Sequence, residues 1–253
     1  MYAEERQEAI VERARGKGRV EVASLASALD VSLETVRRDL GVLEKRGMLR
    51  RTHGGAVPVE RVRFEPEVSE RQAAQVAEKA RIAEAALEFL PERGTVALDA
   101  GTTTAALAEL LPAGRELTVL TNCLPIASAL ASNPSTKVVI SGGRVRARTL
   151  ATVDDAAARF LEDFAPDVAF IGANGVSAGR GLTTPDESEA AAKKALVRGA
   201  GRVIALADHT KVGREHFVRF ARPEEVDVLI TDSGLGDAAA DELLRTGIEV
   251  LRV

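Results

Sequence analysis

Six consecutive residues, Asp99-Ala-Gly-Thr-Thr-Thr104, have types and an order that suit chemistry on an anion. An apolar run precedes them, Gly101 permits a tight turn, and Thr102, Thr103 and Thr104 open a helical pattern. The first N–H groups of a helix have no partner inside it, the positive end of its dipole lies there, and hydroxyls add donors. A plainer role fits the same residues, with Thr102 or Thr103 serving as an N-cap. Further polar residues sit where apolar runs end: Thr121-Asn122, Ser141-Gly142-Gly143, Gly172–Gly175 and Asp208 to Lys211. Each is an ordinary turn taken singly. Open α/β sheets bind ligands beyond the carboxyl ends of their strands, so the coincidence of these turns on one sheet edge is what points to a site. Lys193 and Lys211 can supply positive charge for a phosphate, although Lys193 also fits a surface lysine. Asp208 can bind sugar hydroxyls. Asp186 joins the effector-site candidates and, with Glu187 and Glu189, is also where a catalytic carboxylate would have to come from.

A second constellation lies near the N-terminus. Ser32, Thr35, Arg37 and Arg38 fall at the start of one helical pattern, and Arg50, Arg51 and His53 follow it. Arginine bonds guanine through two acceptors at once, and threonine can meet the thymine methyl. Arg50, Arg51 and His53 suit phosphate or minor-groove contact. Asp39 would be repelled by phosphates, so its expected task is to orient Arg37 or a neighbouring backbone group. Periodicity alone fits the solvated face of a helical bundle equally well. The distribution of charge is a separate observation. The chain carries −4 overall, which argues against nucleic acid, but residues 1–58 hold 11 Lys/Arg against 9 Asp/Glu. Residues 37–51 carry +4, and residues 59–253 carry −6. A compact basic patch on an acidic body is the distribution of a small DNA reader joined to a sensor.

The elements that must position these residues follow from hydrophobic period. Glu4–Ala14, with Ala9, Ile10 and Ala14, reads as a helix ending near Gly16 and Gly18. Glu21–Leu29 places Val22, Leu25, Ala26 and Leu29 on one face. After Asp30 and Val31, Ser32 can cap a third helix, which presents Leu33, Val36, Leu40 and Leu43 to one side and stops at Gly47. Two short helices joined by about three residues, the second bearing exposed Thr and Arg, is helix-turn-helix geometry. Met48 to Gly55 reads as a hairpin, a wing. Residues 58–77 are a linker, helical near its end.

From 78 to 253 helices alternate with apolar runs at Thr95–Asp99, Leu117–Thr121, Lys137–Ser141, Asp167–Ala173, Arg202–Ala207, Val226–Thr231 and Ile248–Val253. β-Branched runs flanked by helices indicate a parallel sheet covered on both faces. The fold class is therefore α/β, with an N-terminal winged helix-turn-helix over 1–57 and a parallel-sheet domain over 78–253. No stretch approaches the ~18 apolar residues of a membrane span. The N-terminus lacks the apolar segment of a signal peptide. Cys123, the only cysteine, permits no internal disulfide and reads as a small buried thiol. These features lead to an expected cytoplasmic location. His53, His209 and His216 have no metal-site spacing, so neither metal nor cofactor is expected.

Val31 to Ala56, reading VSLETVRRDLGVLEKRGMLRRTHGGA, resembles the signature of the DeoR family of transcriptional regulators almost position for position. The resemblance implies a winged helix-turn-helix whose recognition helix carries Thr35, Arg37 and Arg38. Residues 78–232 resemble the DeoR sensor domain through DAGTTT, TNCLPIA, SGGRVRARTL, GLTTPDESEAAAKKA and ADHTKVG. That domain is related in fold to ribose-5-phosphate isomerase and sugar-phosphate deaminases. The resemblance implies phosphorylated-sugar effectors, with Asp99, Gly101, Thr102, Thr103, Asn122, Lys193 and Lys211 lining the pocket. RFEPEVSER (63–71), GGRVRARTLA and GLTTPDESEAA resemble the actinobacterial fructose-operon repressors, which implies fructose 1-phosphate, or fructose 1,6-bisphosphate, as effector. A competing class is a sugar-phosphate isomerase or deaminase fused to the DNA reader. The related isomerases carry an acidic cluster like DGADE after the strand equivalent to 167–173. Here that place reads Ile171-Gly-Ala-Asn-Gly175, with no carboxylate to act as base, which favours binding without turnover. The expected partners are double-stranded operator DNA, the sugar phosphate and further copies of the chain, as a dimer or tetramer.

Overall fold

The computed structural model describes residues 3–17, 19–46, 48–52, 54–58 and 67–253. Gly47, His53 and residues 59–66, most of the first part of the expected linker, lie outside that set, as does the side chain of Arg50. The chain divides into two compact units, Met1–Glu65 and Pro66–Val253.

The first unit contains α1 (Ala3–Lys17), β1 (Val20–Glu21), α2 (Val22–Leu29), α3 (Leu33–Lys45), β2 (Leu49–Thr52) and β3 (Gly55–Pro58). One apolar cluster holds it together, built from Ile10 and Ala14 of α1, Leu25 and Leu29 of α2, Val36, Leu40 and Leu43 of α3, and Leu49 and Ala56 of the hairpin. Asp30 adopts φ 51° and ends α2, its N–H returning to the Ala26 carbonyl. Leu33, expected on the buried face, is 47% exposed. It is the first residue of α3, and the helix turns inward only from Val36. The hairpin has the antiparallel register expected of a wing, Arg51 opposite Ala56 and Thr52 opposite Gly55. Its third strand is β1, a two-residue segment too short to leave a periodic signal.

The second unit runs α4 (Val68–Ala73), α5 (Val76–Ala86), β4 (Arg93–Leu98), α6 (Thr102–Glu109), β5 (Glu116–Thr121), α7 (Leu124–Leu130), β6 (Thr136–Ile140), β7 (Arg144–Arg146) and β8 (Ala151–Val153). It continues with α8 (Asp155–Glu162), β9 (Val168–Gly172), β10 (Gly175–Ser177), β11 (Gly181–Thr184), α9 (Glu187–Gly199), β12 (Val203–Leu206), β13 (Val218–Ala221), β14 (Val228–Thr231), α10 (Asp237–Leu244) and β15 (Glu249–Arg252). Seven strands form one sheet in the order β15-β14-β12-β9-β4-β5-β6, every neighbouring pair parallel. They are the seven apolar runs of the sequence. Alternate residues serve opposite faces. Val96, Leu98, Phe170 and Ile204 pack with α5, α6 and α7, while Ala97, Ala169, Ile171 and Ala205 pack with α8, α9 and α10. Burial on both sides explains why the central strands β9, β12 and β14 are apolar almost throughout, while the edge strands β6 and β15 keep exposed residues. A β7–β8 hairpin and an antiparallel β10-β11-β13 sheet add to this frame. Strands of three or four residues with mixed polarity do not announce themselves in sequence. Among the described residues, no helix is long and apolar enough to cross a membrane.

Candidate functional site

The first turn of α3 is fixed by Ser32. Its Oγ accepts the Thr35 N–H at 3.1 Å and lies 2.9 Å from Thr35 Oγ1. Such a cap contributes about 1 kcal/mol. With Val36, Leu40 and Leu43 buried, Arg37 and Arg38 project to solvent. Arg37 has Glu34 at 3.7 Å, an exposed pair of little strength. Arg38 forms no ion pair among the described residues. Asp39 does not orient Arg37. It is 3% exposed and faces inward, where Oδ2 accepts Arg6 Nε at 2.5 Å and Oδ1 accepts Gln7 Nε2 at 3.1 Å. The hydrogen bond to Asp39 raises the Arg6 pKa despite the cost of burial. Asp39 thus ties the recognition helix to α1, with Arg46 Nη1 adding a bond to Gln7 Oε1 at 3.3 Å.

In the wing, Arg51 is exposed and its N–H donates to Glu44 Oε1 at 3.1 Å, which docks the hairpin to the end of α3. The two glycines have distinct tasks. Gly54 takes φ +79° at the turn. A Cβ on Gly55 would stand 2.0 Å from the Val20 carbonyl oxygen, so only glycine lets β1 close on β3.

In the second unit, the strand order turns at the boundary between β4 and β9. From β4 the chain moves outward to β6, and from β9 it moves outward the other way to β15. Ligands of open α/β sheets bind at such a point. Asp99, which follows β4, and Gly172, the last residue of β9, meet there. Asp99 is fully buried; its Oδ1 accepts the Gly172 N–H at 3.0 Å. Its Oδ2 accepts the Lys193 ammonium, which also donates to the Gly172 carbonyl at 2.9 Å. Lys193 comes from α9, is 5% exposed, and lies 5.2 Å from the centre of the Phe220 ring. It is no surface lysine. With both oxygens of Asp99 engaged, neither is presented as a base.

Gly101 is the N-cap of α6 and has no side chain to offer, and neither Thr102 nor Thr103 caps the helix. Thr104 donates to the carbonyls of Asp99 at 2.8 Å and Gly101 at 3.0 Å, so it holds the turn and is not turned toward a ligand. Asn122 is likewise a brace: Oδ1 accepts the Ala100 N–H at 3.1 Å and Nδ2 donates to the Thr152 carbonyl at 3.2 Å. Thr102 is half-buried and Thr103 buried in the first turn of α6.

One strand further out, Asp208 follows β12. It is buried, and its Oδ1 accepts the N–H of Thr210 at 3.1 Å together with the Thr210 hydroxyl. Beside it stand Lys211 and a residue the sequence analysis does not single out, Lys79 of α5. Lys79 is 7% exposed and donates to the carbonyls of Ala74, at 2.6 Å, and Arg71. Burial lowers its pKa; Asp208 opposes that, while Lys211 and Arg71 push it further down. Lys211 is lowered by burial as well, against Asp208 and with Arg214 and Arg71. Arg71 also acts on Cys123, whose thiol burial pushes up to about 11, alongside Asp99 and Lys193. It therefore lies within electrostatic reach of both clusters, and its Nε is buried with no hydrogen-bond partner among the described residues. Lys79 was findable: Lys79, Ile82, Ala83 and Ala86 share one helical face, and a charge on an otherwise apolar stripe needs a reason. Arg71 sits in a six-residue helix with no comparable pattern.

Other candidates stay apart. Gly142 is exposed, and Gly143 takes φ +120° with its would-be Cβ 2.7 Å from the Val153 carbonyl, so it serves the turn into β7. Asp186 caps α9 through the Glu189 N–H at 3.0 Å and pairs with Arg146 Nε at 3.0 Å. His209 pairs with Asp232 at 2.7 Å, and His216 Nε2 lies 3.1 Å from the Asn174 carbonyl oxygen.

Comparison with known proteins agrees with both units. Residues 6–62 match the DeoR-like helix-turn-helix domain, and residues 74–233 match the DeoR C-terminal sensor domain. The chain is 38% identical over 251 residues to the HTH-type transcriptional regulator GlpR of Haloferax volcanii, covering 99% of this chain and 98% of that one. It is 33% identical to the HTH-type transcriptional repressor GlcR of Bacillus subtilis over 99% of this chain and 96% of that one. The ribose 5-phosphate isomerase A of Neisseria gonorrhoeae is similar over 53% of this chain and 52% of that one, with 19% identity and a TM-score of 0.40. The two curated relatives are named as transcriptional regulators. The chain belongs to the DeoR family: it is a DeoR-type transcriptional repressor with an N-terminal DNA-binding helix-turn-helix domain and a C-terminal sugar-phosphate sensor domain.

Proposed function

We propose that the chain represses a sugar-catabolism operon in the cytoplasm and that fructose 1-phosphate releases it from DNA. Residues 1–57 read the operator, with Arg37 and Arg38 on base edges, Ser32 and Thr35 at the helix start, and Arg50, Arg51 and His53 on phosphates. Residues 78–253 hold the effector. The observation that supports this most is the charge imbalance at the strand ends: Arg71, Lys79 and Lys211 stand around one carboxylate, Asp208, and each lysine is disfavoured in its charged form. A phosphate dianion there would relieve the mutual repulsion, and the N–H groups of α6 with Thr102 and Thr103 would receive its oxygens. Asp99 and Lys193 form the floor. The fructose assignment rests on the RFEPEVSER, GGRVRARTLA and GLTTPDESEAA segments, because the curated relatives span regulators with several different names at similar identity. One recognition helix makes limited contact, so operator binding takes at least two copies on repeated half-sites. Release follows if the effector prefers the arrangement that does not fit them.

A thermal-shift series tests the effector directly. Fructose 1-phosphate at 100 times its dissociation constant stabilises the folded chain by about 2.7 kcal/mol if it binds only that state. Fructose 1,6-bisphosphate, glycerol phosphate, glucose 6-phosphate and inorganic phosphate complete the series. A larger shift with another sugar phosphate overturns the fructose assignment. No shift with any of them removes the pocket.

A further inference from the structure

Helix α9 has two faces with different duties. Its inner face carries Ala190, Lys193, Leu196 and Val197 into the sheet and the effector floor. Its outer stripe is Glu187, Ala191, Lys194 and Arg198, spaced i, i+4, i+7, i+11 and left in contact with solvent. The charges along that stripe are segregated. At its start, Glu187 and Ser188 meet the start of α8 in a cleft of about 510 Å³ that also holds Asp154 and Asp155. At its end, Lys194 and Arg198 border a groove of about 240 Å³ with Arg219 and Arg222. Glu225 answers Arg222 at 3.3 Å. Lys194, Arg198 and Arg219 form no ion pair among the described residues, and neither do Asp155 and Glu187. The two ends lie roughly 16 Å apart along the helix axis.

A surface that is acidic at one end and basic at the other is complementary to itself when turned end for end. We propose that α9 is an interface between two copies of this chain, the helices antiparallel about a two-fold axis near Ala191 and Lys194. The acidic cleft of each copy then meets the basic groove of the other, twice per dimer, as an isologous contact requires. Ala191 at the centre permits the helix separation of about 8–10 Å that direct packing needs. A polyanion such as DNA fits the basic groove less well, because it would lie across the acidic cleft of the same stripe. The net charge of −6 over residues 59–253 opposes it further. The interface supplies the second copy that operator reading requires, and in that respect it rests on the function proposed above. It also sets Lys193 and the interface on opposite faces of one helix.

Charge exchange on the full-length chain tests the pairing, with association read by sedimentation equilibrium. Reversing the acidic end (Asp155→Lys with Glu187→Lys) or the basic end (Lys194→Glu with Arg198→Glu) makes both contacts of a homodimer repulsive. Each variant is expected to remain folded, with a cooperative melt, and to associate at least tenfold more weakly than the parent chain. An equimolar mixture of the two is expected to regain association, because both contacts become attractive again in the mixed pair. The single changes Glu187→Lys and Arg198→Glu should act in the same directions with smaller effect. A parent chain that is monomeric at tens of micromolar overturns the proposal. So does a reversed variant that associates as the parent does, including one that has only lost affinity for heparin. A mixture of folded variants that stays dissociated overturns it too. The sugar-phosphate shift of the parent chain is a separate readout, so loss of one reading does not mimic loss of the other.

Discussion

Lys79 and Lys211 show what burial beside other cations does to a lysine charge. Burial and neighbouring cations push both pKa values below the ordinary 10.5. A lysine depressed in this way destabilises the fold at any pH below its folded value. The cost fades as pH climbs toward 10.5 and is gone above it. Lys211→Met should therefore melt no lower than the parent chain at pH 7, and the difference in its favour should shrink as melts are repeated toward pH 10.5. The same variant should lose most of its shift with sugar phosphate. A variant that is less stable at pH 7 and recovers nothing at high pH would assign Lys211 a structural bond in place of a ligand. Asp99 and Lys193 behave differently. They satisfy each other and Gly172, so they brace the switch point.

At the scale of elements, the wing illustrates how a short motif encodes a contact. The two glycines of His53-Gly-Gly-Ala look interchangeable as turn formers. Gly54 supplies the positive φ, whereas Gly55 yields space to the Val20 backbone across a β1–β3 pairing. Gly55→Ala has to displace a main-chain carbonyl, not a flexible side chain. Overpacking of this kind typically costs about 1–3 kcal/mol, and a backbone obstacle places the change at the upper end. Denaturant melts of the isolated 1–65 unit and of the full chain should both show it, with weakened operator binding and an unaltered sugar-phosphate shift. Unchanged stability would mean that β1 is dispensable to the wing. The same logic of distant closure applies to α3, whose Asp39 reaches 33 residues back to Arg6 to fix the recognition helix on α1.

For the whole molecule, two units with separate cores imply separable duties. Arg37→Ala or Arg38→Ala should weaken operator binding by roughly 1–3 kcal/mol where the arginine reads a base. Footprinting at fixed salt checks this, and the sugar-phosphate shift should be untouched. Intact footprints in both variants would move base reading away from α3. Much of this organisation was legible in the chain itself. Apolar, β-branched-rich runs marked the seven sheet strands, because strands buried on both faces have little polar side. The apolar stripe and Ser32 determined α3, and a local excess of positive charge marked the DNA reader inside an acidic chain. The strand-end turns at Asp99–Thr104 and Asp208–Lys211 were legible because such turns are set by local sequence. Tertiary structure alone decided which polar residues serve the fold. Asn122 and Thr104 became braces, Asp186 a helix cap, and Asp39 a tie between helices, while Lys79 and Arg71 came within electrostatic reach of Lys211. Period tells which face of an element is buried but not what it is buried against. The Asp99–Lys193 pair spans 94 residues and exists only because strand order brings β4, β9 and α9 together.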